Sequence, residues 1–318
     1  MQIKVIIYLL FIFILHSCSK IDKSVGSNNL ITIFSSSEDR ELVELYLKPI
    51  FNKQVMTPIY ENLYDVKILK SSEFIIKNKF KNIIIASIDN PADSTGDILV
   101  DKFTDVYKEN ILSFNNLYAD NQLLICIEAL NIEDFSNIIN FNNNWIIDSI
   151  NENIFNNYYL DLIINEPEES IVELIRDKFN IEIFIDNNYK IIKNNDNFLW
   201  IGRGHPYRWL VIYETNNNQI EDYKAQIINV FENNLTGITI PPDFLNFNFE
   251  RNVKVIRGLY EHFDSDTGGP FFTYIFDNNV NNNVILLSGF VNNPGKKKSD
   301  LLLQLETIIN KVKVKKNE

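Results

Sequence analysis

The stretch GGPFFTYIFDNNVNNNVILLSGFVNNPGKKKSDLLLQLETII, residues 268–309, decides how the second half of the chain folds. Phe271–Phe276 and Val284–Val291 are apolar, rich in aromatic and β-branched residues, and separated by asparagines. They read as two strands joined by a turn. Pro294-Gly295 punctuates the end of the second strand. From Ser299 onward, Leu301, Leu305, Ile308 and Val312 recur at the period of one helix face, so a helix follows. Lys311, Lys313, Lys315 and Lys316 near its end suit the negative pole of its dipole.

Upstream, Ile181–Ile185, Tyr189–Ile192, Phe198–Arg203, Trp209–Tyr213 and Val253–Tyr260 are further strand candidates, with Gln219–Phe231 helical between them. Glu166-Pro167-Glu168-Glu169 opens a helix that runs to Phe179, with proline and acids in the first turn, where both are favourable. Before it the rhythm changes. Strands at Leu30–Phe34, Val66–Leu69, Ile83–Ile88 and Leu123–Ile127 alternate with helices at Glu38–Leu47, Ser72–Phe80, Asp101–Leu112 and Ile132–Leu160. The last of these is expected to break among the asparagines at 142–144, and Asn90–Gly96 to form a loop. Alternating strands and helices predict an α/β layer. The expected fold is therefore α/β (α+β) in two domains, 30–165 and 166–318.

Composition agrees with this and excludes other classes. The 318 residues suit about two domains at roughly 150 residues each. Against 30 basic residues stand 42 acidic ones, giving a net charge of −12, so a nucleic-acid partner is not expected. Two cysteines make neither a disulfide scaffold nor a four-cysteine zinc site.

Residues 1–17, MQIKVIIYLLFIFILHS, place Lys4 ahead of an apolar run from Val5 to Leu15. That run is far shorter than the roughly 20 residues a spanning helix needs, so it reads as the core of a signal peptide. Leu15-His16-Ser17-Cys18 resembles the bacterial lipobox. The resemblance implies thioether lipidation at Cys18, acyl chains such as palmitate, and cleavage before that residue. Loss of Lys4 would move the net charge from −12 to −13. Residues 18–29 then form a polar tether. Ser19 lacks the acid associated with inner-membrane retention, so the periplasmic face of the outer membrane is expected, with surface exposure as the alternative. Cys126, inside the apolar Leu123–Ile127, reads as an inert core residue.

Three stretches carry a second resemblance: KFNIEIFIDNNYKIIKNNDNFLWIGR, VIRGLYEHFDSDTGGPFFTYIF and GFVNNPGKKKSDLLLQLETII. They resemble a Bacteroidota lipoprotein family catalogued as domain of unknown function 4837, over about residues 170–312. That family implies no activity, substrate or catalytic residue. More weakly, the second half resembles PsbP/Mog1-like domains. This implies an antiparallel sheet flanked by helices and closed by a C-terminal helix, and fold likeness does not carry function.

Candidate chemistry is sparse. Asp266-Thr267-Gly268 spells the aspartic-protease tripeptide, but it occurs singly, and a turn into the next strand is the expected reading. Asp264 and Asp266, with Gly268 and Gly269, form a candidate loop site at calcium-loop spacing, without the closing glutamate such a loop needs. His205 and His262 would make a site only by meeting in space beside a carboxylate such as Glu261. Trp200, Tyr207, Trp209 and Tyr213 read as core, with a groove as the alternative. Lys296, Lys297 and Lys298 sit just before a helix N-terminus, where cations oppose the dipole. With Arg257 they form a candidate partner or anion patch using free N–H groups. No metal and no cofactor is expected. The leading expectation is a membrane-anchored, non-catalytic binding or assembly module with an envelope protein partner. The alternative is a hydrolase of envelope material with an unidentified carboxylate or histidine site.

Overall fold

The protein is described from a computed structural model covering residues 21–89, 94–216, 222–250, 253–264, 267–278 and 283–314. Cys18, Asp266, Lys315 and Lys316 lie outside these residues, as does most of the Asn90–Gly96 loop. The fold is mixed α/β: a mostly parallel sheet with helices in the N-terminal half, and an antiparallel sheet with helices in the C-terminal half. The described residues fall into two compact units, one within 21–49 and 66–153 and the other within 50–65 and 154–314. Chain order alone suggests a single cut near residue 165, whereas the contacts place Ile50–Asp65 with the C-terminal unit.

In the N-terminal unit, β1 (Leu30–Ser35), β2 (Asp65–Lys70), β3 (Asn82–Ile88), β4 (Ile111–Asn115) and β5 (Leu123–Ala129) form a sheet in the order β2-β1-β3-β5-β4. β1, β3 and β5 run parallel and β4 antiparallel at the edge. Every residue of β3 is buried, which explains its unbroken NIIIASI run, since a parallel strand is covered on both faces. Helix α1 (Ser94–Tyr107) packs on β3 and β5 over Phe34, Ile83, Ile85, Leu124 and Cys126. Burial pushes the Cys126 thiol pKa up, which keeps the sulfur a neutral packing atom.

Two expectations fail here for local reasons. The helix expected over Asp101–Leu112 ends at Tyr107, because Lys108 adopts a left-handed φ of 55° and turns the chain. Ile111–Asn115 then pairs with β5, and its Leu112 and Phe114 pack on the core. Helix α2 (Ile132–Ile163) does not break at 142–144. Asn142 instead bonds back to the Ile138 carbonyl at 2.8 Å, so the amide is satisfied within an intact helix.

In the C-terminal unit, α3 (Glu169–Phe179) precedes an eight-stranded antiparallel sheet. Its strands are β6 (Lys190–Asn195), β7 (Phe198–Arg203), β8 (Tyr207–Asn216), β9 (Asn246–Glu250), β10 (Val253–His262), β11 (Thr267–Asn278) and β12 (Asn283–Asn292). The short strand Ile238–Thr239 completes it, in the order Ile238–Thr239, β10, β11, β12, β8, β7, β6, with β9 also pairing β10. Side chains alternate between faces. Phe198, Val211, Ile256, Phe271, Leu286 and Phe290 pack under helix α4 (Tyr223–Asn234) through Ile227, Val230 and Phe231. Trp200, Trp209 and Tyr213 pack on this same core, and Tyr207 is exposed. On the opposite face, helix α5 (Ser299–Asn310) lies on β8, β11 and β12, with Leu305 close over Gly289.

The glycines of DTGGP are strand residues, not the turn expected from the sequence, since β11 begins at Thr267. A Cβ at Gly268 would stand 2.4 Å from the Tyr260 carbonyl oxygen, and one at Gly269 2.0 Å from that of Val291. Gly269→Ala should therefore force the β11–β12 ladder apart and destabilise the protein by about 1–3 kcal/mol. Urea denaturation measures this; an unchanged midpoint would refute the close approach.

Candidate functional site

A cleft of about 960 Å³ opens in the C-terminal unit. Its floor is the end of β10, Leu259–His262, with Thr267 and Gly268 of β11 beside it. One wall is Met56–Glu61, the tip of a hairpin in which Gln54-Val55 pairs Asn62-Glu61. The other is Pro294–Lys298, the turn between β12 and α5. Gly295 makes that turn at φ 68°, a conformation that favours glycine. The Asn293 amide holds it by donating to the Lys297 carbonyl at 2.8 Å.

The lysine triplet now has a physical explanation. Oε2 of Glu61 accepts the backbone N–H of Lys298 at 2.7 Å and of Ser299 at 2.8 Å. A carboxylate thus sits on the positive end of α5 and offsets the three cations. The N–H groups expected to be free for an outside anion are held by the chain's own glutamate. Lys297 pairs with Asp65 at 2.9 Å, an exposed contact worth about 0–1 kcal/mol. Lys298 differs. It is 8% exposed, and its ammonium donates to the Lys296 carbonyl at 3.0 Å. Glu61→Ala should lower stability by about 0.5–2 kcal/mol, the range for removing a helix-capping side chain. An unaltered denaturation curve would show that Glu61 does not hold α5.

Arg257 is not part of this cleft. Its guanidinium reaches Glu250 with Nε at 2.9 Å and a second nitrogen at 2.8 Å, and it also bonds Glu306 on α5. Burial pulls its pKa down, but Glu306 and Glu250 outweigh this and hold it well above the usual arginine value. It clamps β9 and α5 to the sheet face. His262 lines the cleft, and its ring leaves no room for a Cβ at Gly237, which also adopts a left-handed φ of 74°. Nδ1 of His262 accepts from the Asp264 backbone N–H at 3.3 Å. His205 lies in the β7–β8 turn, and β8 is three strand positions from β10. Among the described residues the two histidines share no hydrogen bond, ring contact or cleft lining: His205 packs on Tyr207 with ring centroids 4.5 Å apart, while His262 lines the cleft. Gly268 lines the cleft with the lysines; Asp264 and Gly269 are adjacent in sequence but not in its lining. Among the described residues no cluster of three His, Cys, Asp or Glu could hold a metal ion.

The lips of the cleft are apolar and open to water. Ile59 is 84% and Phe263 69% exposed, and Tyr60 and Phe244 are exposed beside them. Sequence reading missed Ile59, Tyr60 and Glu61 because nothing local marks them. Glu61 acts on residues 237 and 238 positions away.

Residues 168–311 match the family described as Domain of unknown function (DUF4837). The matched span holds most of the sheet, α4 and α5, while Glu61 and the hairpin wall lie before it. No curated protein matches the chain in sequence. Among solved structures, the Ran-binding protein Mog1p of Saccharomyces cerevisiae is 10% identical, with a TM-score of 0.31 over 42% of this chain and 89% of its own. PsbP of the cyanobacterium Synechocystis sp. PCC 6803 is 8% identical, with a TM-score of 0.30 over 42% and 86%. A protein of Bacteroides thetaiotaomicron is 8% identical, with a TM-score of 0.25 over 43% and 45%.

Proposed function

We propose that the protein is a lipid-anchored envelope protein that binds, without catalysis, a ligand or partner in the cleft of its C-terminal unit. The cleft carries this reading: solvent-facing Ile59, Tyr60 and Phe263 beside lysines, in a space of about 960 Å³, are what a recognition site offers. The anchor rests on Lys4, the short apolar run and Cys18, and its expected place is the periplasmic face of an outer membrane. Among the described residues no helix is long and apolar enough to cross a membrane. Metabolic labelling with a palmitate analogue, followed by envelope fractionation, tests the anchor. Label should enter the chain, and Cys18→Ser should abolish it and release the protein from the membrane fraction. An unlabelled wild-type chain, or a Cys18→Ser variant still held on the membrane, would overturn the anchor. Phe263→Ser with Ile59→Ser should abolish ligand or partner binding while leaving the denaturation midpoint nearly unchanged.

A further inference from the structure

We infer that the cleft binds an anionic single-chain amphiphile, its acyl chain against the apolar lips and its carboxylate or phosphate on Lys298. The inference deepens the binding reading above and rests on it. Its strongest support is Lys298, which lines the cleft at 8% exposure. Among the described residues no carboxylate lies within 4.0 Å of its ammonium, and its one side-chain hydrogen bond goes to a carbonyl. The nearby Glu61 is engaged by two backbone N–H groups. The residue is largely buried and its ammonium part-buried, with two further donors and no counter-ion, and drawing a charge out of water without one is costly. An anion entering the cleft would supply that counter-ion, with Lys296 at the rim adding a second charge.

The apolar half of the site fits an acyl chain better than a peptide. Extended peptides gain affinity by pairing with a free strand edge. Here Glu261 and His262 pair with Thr239 and Ile238 on one side and with Gly268 and Thr267 on the other. At Glu261 and His262 the floor therefore offers no open ladder. A ligand that needs no backbone hydrogen bonds can still bury apolar surface against Ile59, Tyr60, Phe244, Leu259 and Phe263. The cleft volume lies near the upper end of the range of about 300–1,000 Å³ for small-molecule sites, so one chain with its headgroup can be accommodated.

The test uses the full chain in nanodiscs of zwitterionic lipid with a diazirine-bearing fatty acid, and mass spectrometry maps the adducts. Adducts are expected on the segments containing Ile59–Tyr60 or Phe263. Dodecanoate and dodecyl phosphate should compete at least tenfold better than dodecanol, and inorganic phosphate alone should not compete. Lys298→Met, which keeps an unbranched side chain one atom shorter and without charge, should lower the adduct yield of the acid about tenfold and leave that of a diazirine fatty alcohol unchanged. A Lys296→Gln variant should give a smaller loss; both variants are checked by urea denaturation for an unaltered fold. Equal labelling by acid and alcohol, indifference to Lys298→Met, or adducts elsewhere would overturn the inference. A photo-cross-linker at Phe263 that yields a peptide adduct and no lipid would sink the amphiphile and spare the broader binding function. No adduct of either kind would sink both.

Discussion

Phe290→Ala is expected to destabilise the protein by about 3–5 kcal/mol, the usual cost of emptying a fully buried aromatic site. Phe290 sits on β12 with no exposed surface. Its ring centroid lies 5.0 Å from Phe231, 5.1 Å from Phe271, 5.6 Å from Tyr260 and 6.2 Å from Trp209. These neighbours come from α4, β11, β10 and β8, so one side chain joins three strands to the helix above them. Aromatic neighbours are rigid and collapse poorly into a void, which places the loss toward the upper end of the range. Phe290→Leu, closer in volume, should cost less, about 1–1.5 kcal/mol. Equilibrium urea denaturation of the three proteins decides it. An alanine variant within 1 kcal/mol of wild type would mean that this cluster does not hold the sheet to α4.

Asp186→Ala should cost about 3 kcal/mol. The carboxylate has no solvent exposure and accepts from Arg203 at 2.8 Å, from the Asn188 backbone at 2.9 Å and from the Asn188 side chain at 2.8 Å. Removing one member of a buried ion pair costs about 3–5 kcal/mol, because the other charge is left without a partner. The low end applies, since 21% of the Arg203 side chain still reaches water. Arg203 also stands opposite Arg208 across the β7–β8 pair, so losing Asp186 exposes each cation to the other. Asp186→Asn keeps an acceptor for Asn188 and should lose less. A double variant, Asp186→Ala with Arg203→Met, should recover part of the loss; no recovery would show that the ion pair is not its cause.

Much of the fold was legible because its signals are local. The apolar runs at Ile83–Ile88, Phe198–Arg203 and Val284–Val291 and the helix at Ser299 needed only periodicity and turn residues. What was illegible was decided at a distance. Ile111–Asn115 looks like the end of a helix until β5 is there to pair with it. Gly268 and Gly269 look like a turn until the carbonyls of Tyr260 and Val291 crowd them. The candidate site divides in the same way. Lys296–Lys298 stood out as cations on the wrong end of a helix, but the carboxylate that answers them comes from Glu61, far up the chain. Arg257 was grouped with them by charge alone, and its partners Glu250 and Glu306 place it elsewhere.

The membership of Ile50–Asp65 in the C-terminal unit has a consequence for synthesis. Glu61 leaves the ribosome 237 residues ahead of Lys298, whose N–H it will accept. At about 5–20 residues per second, that interval is on the order of 10–50 s. Throughout it the hairpin bearing Ile59 and Tyr60 has no α5 to hold and no wall opposite. The cleft is therefore among the last features of the molecule to come into being, and a nascent chain interrupted before residue 298 would carry one of its lips without a site.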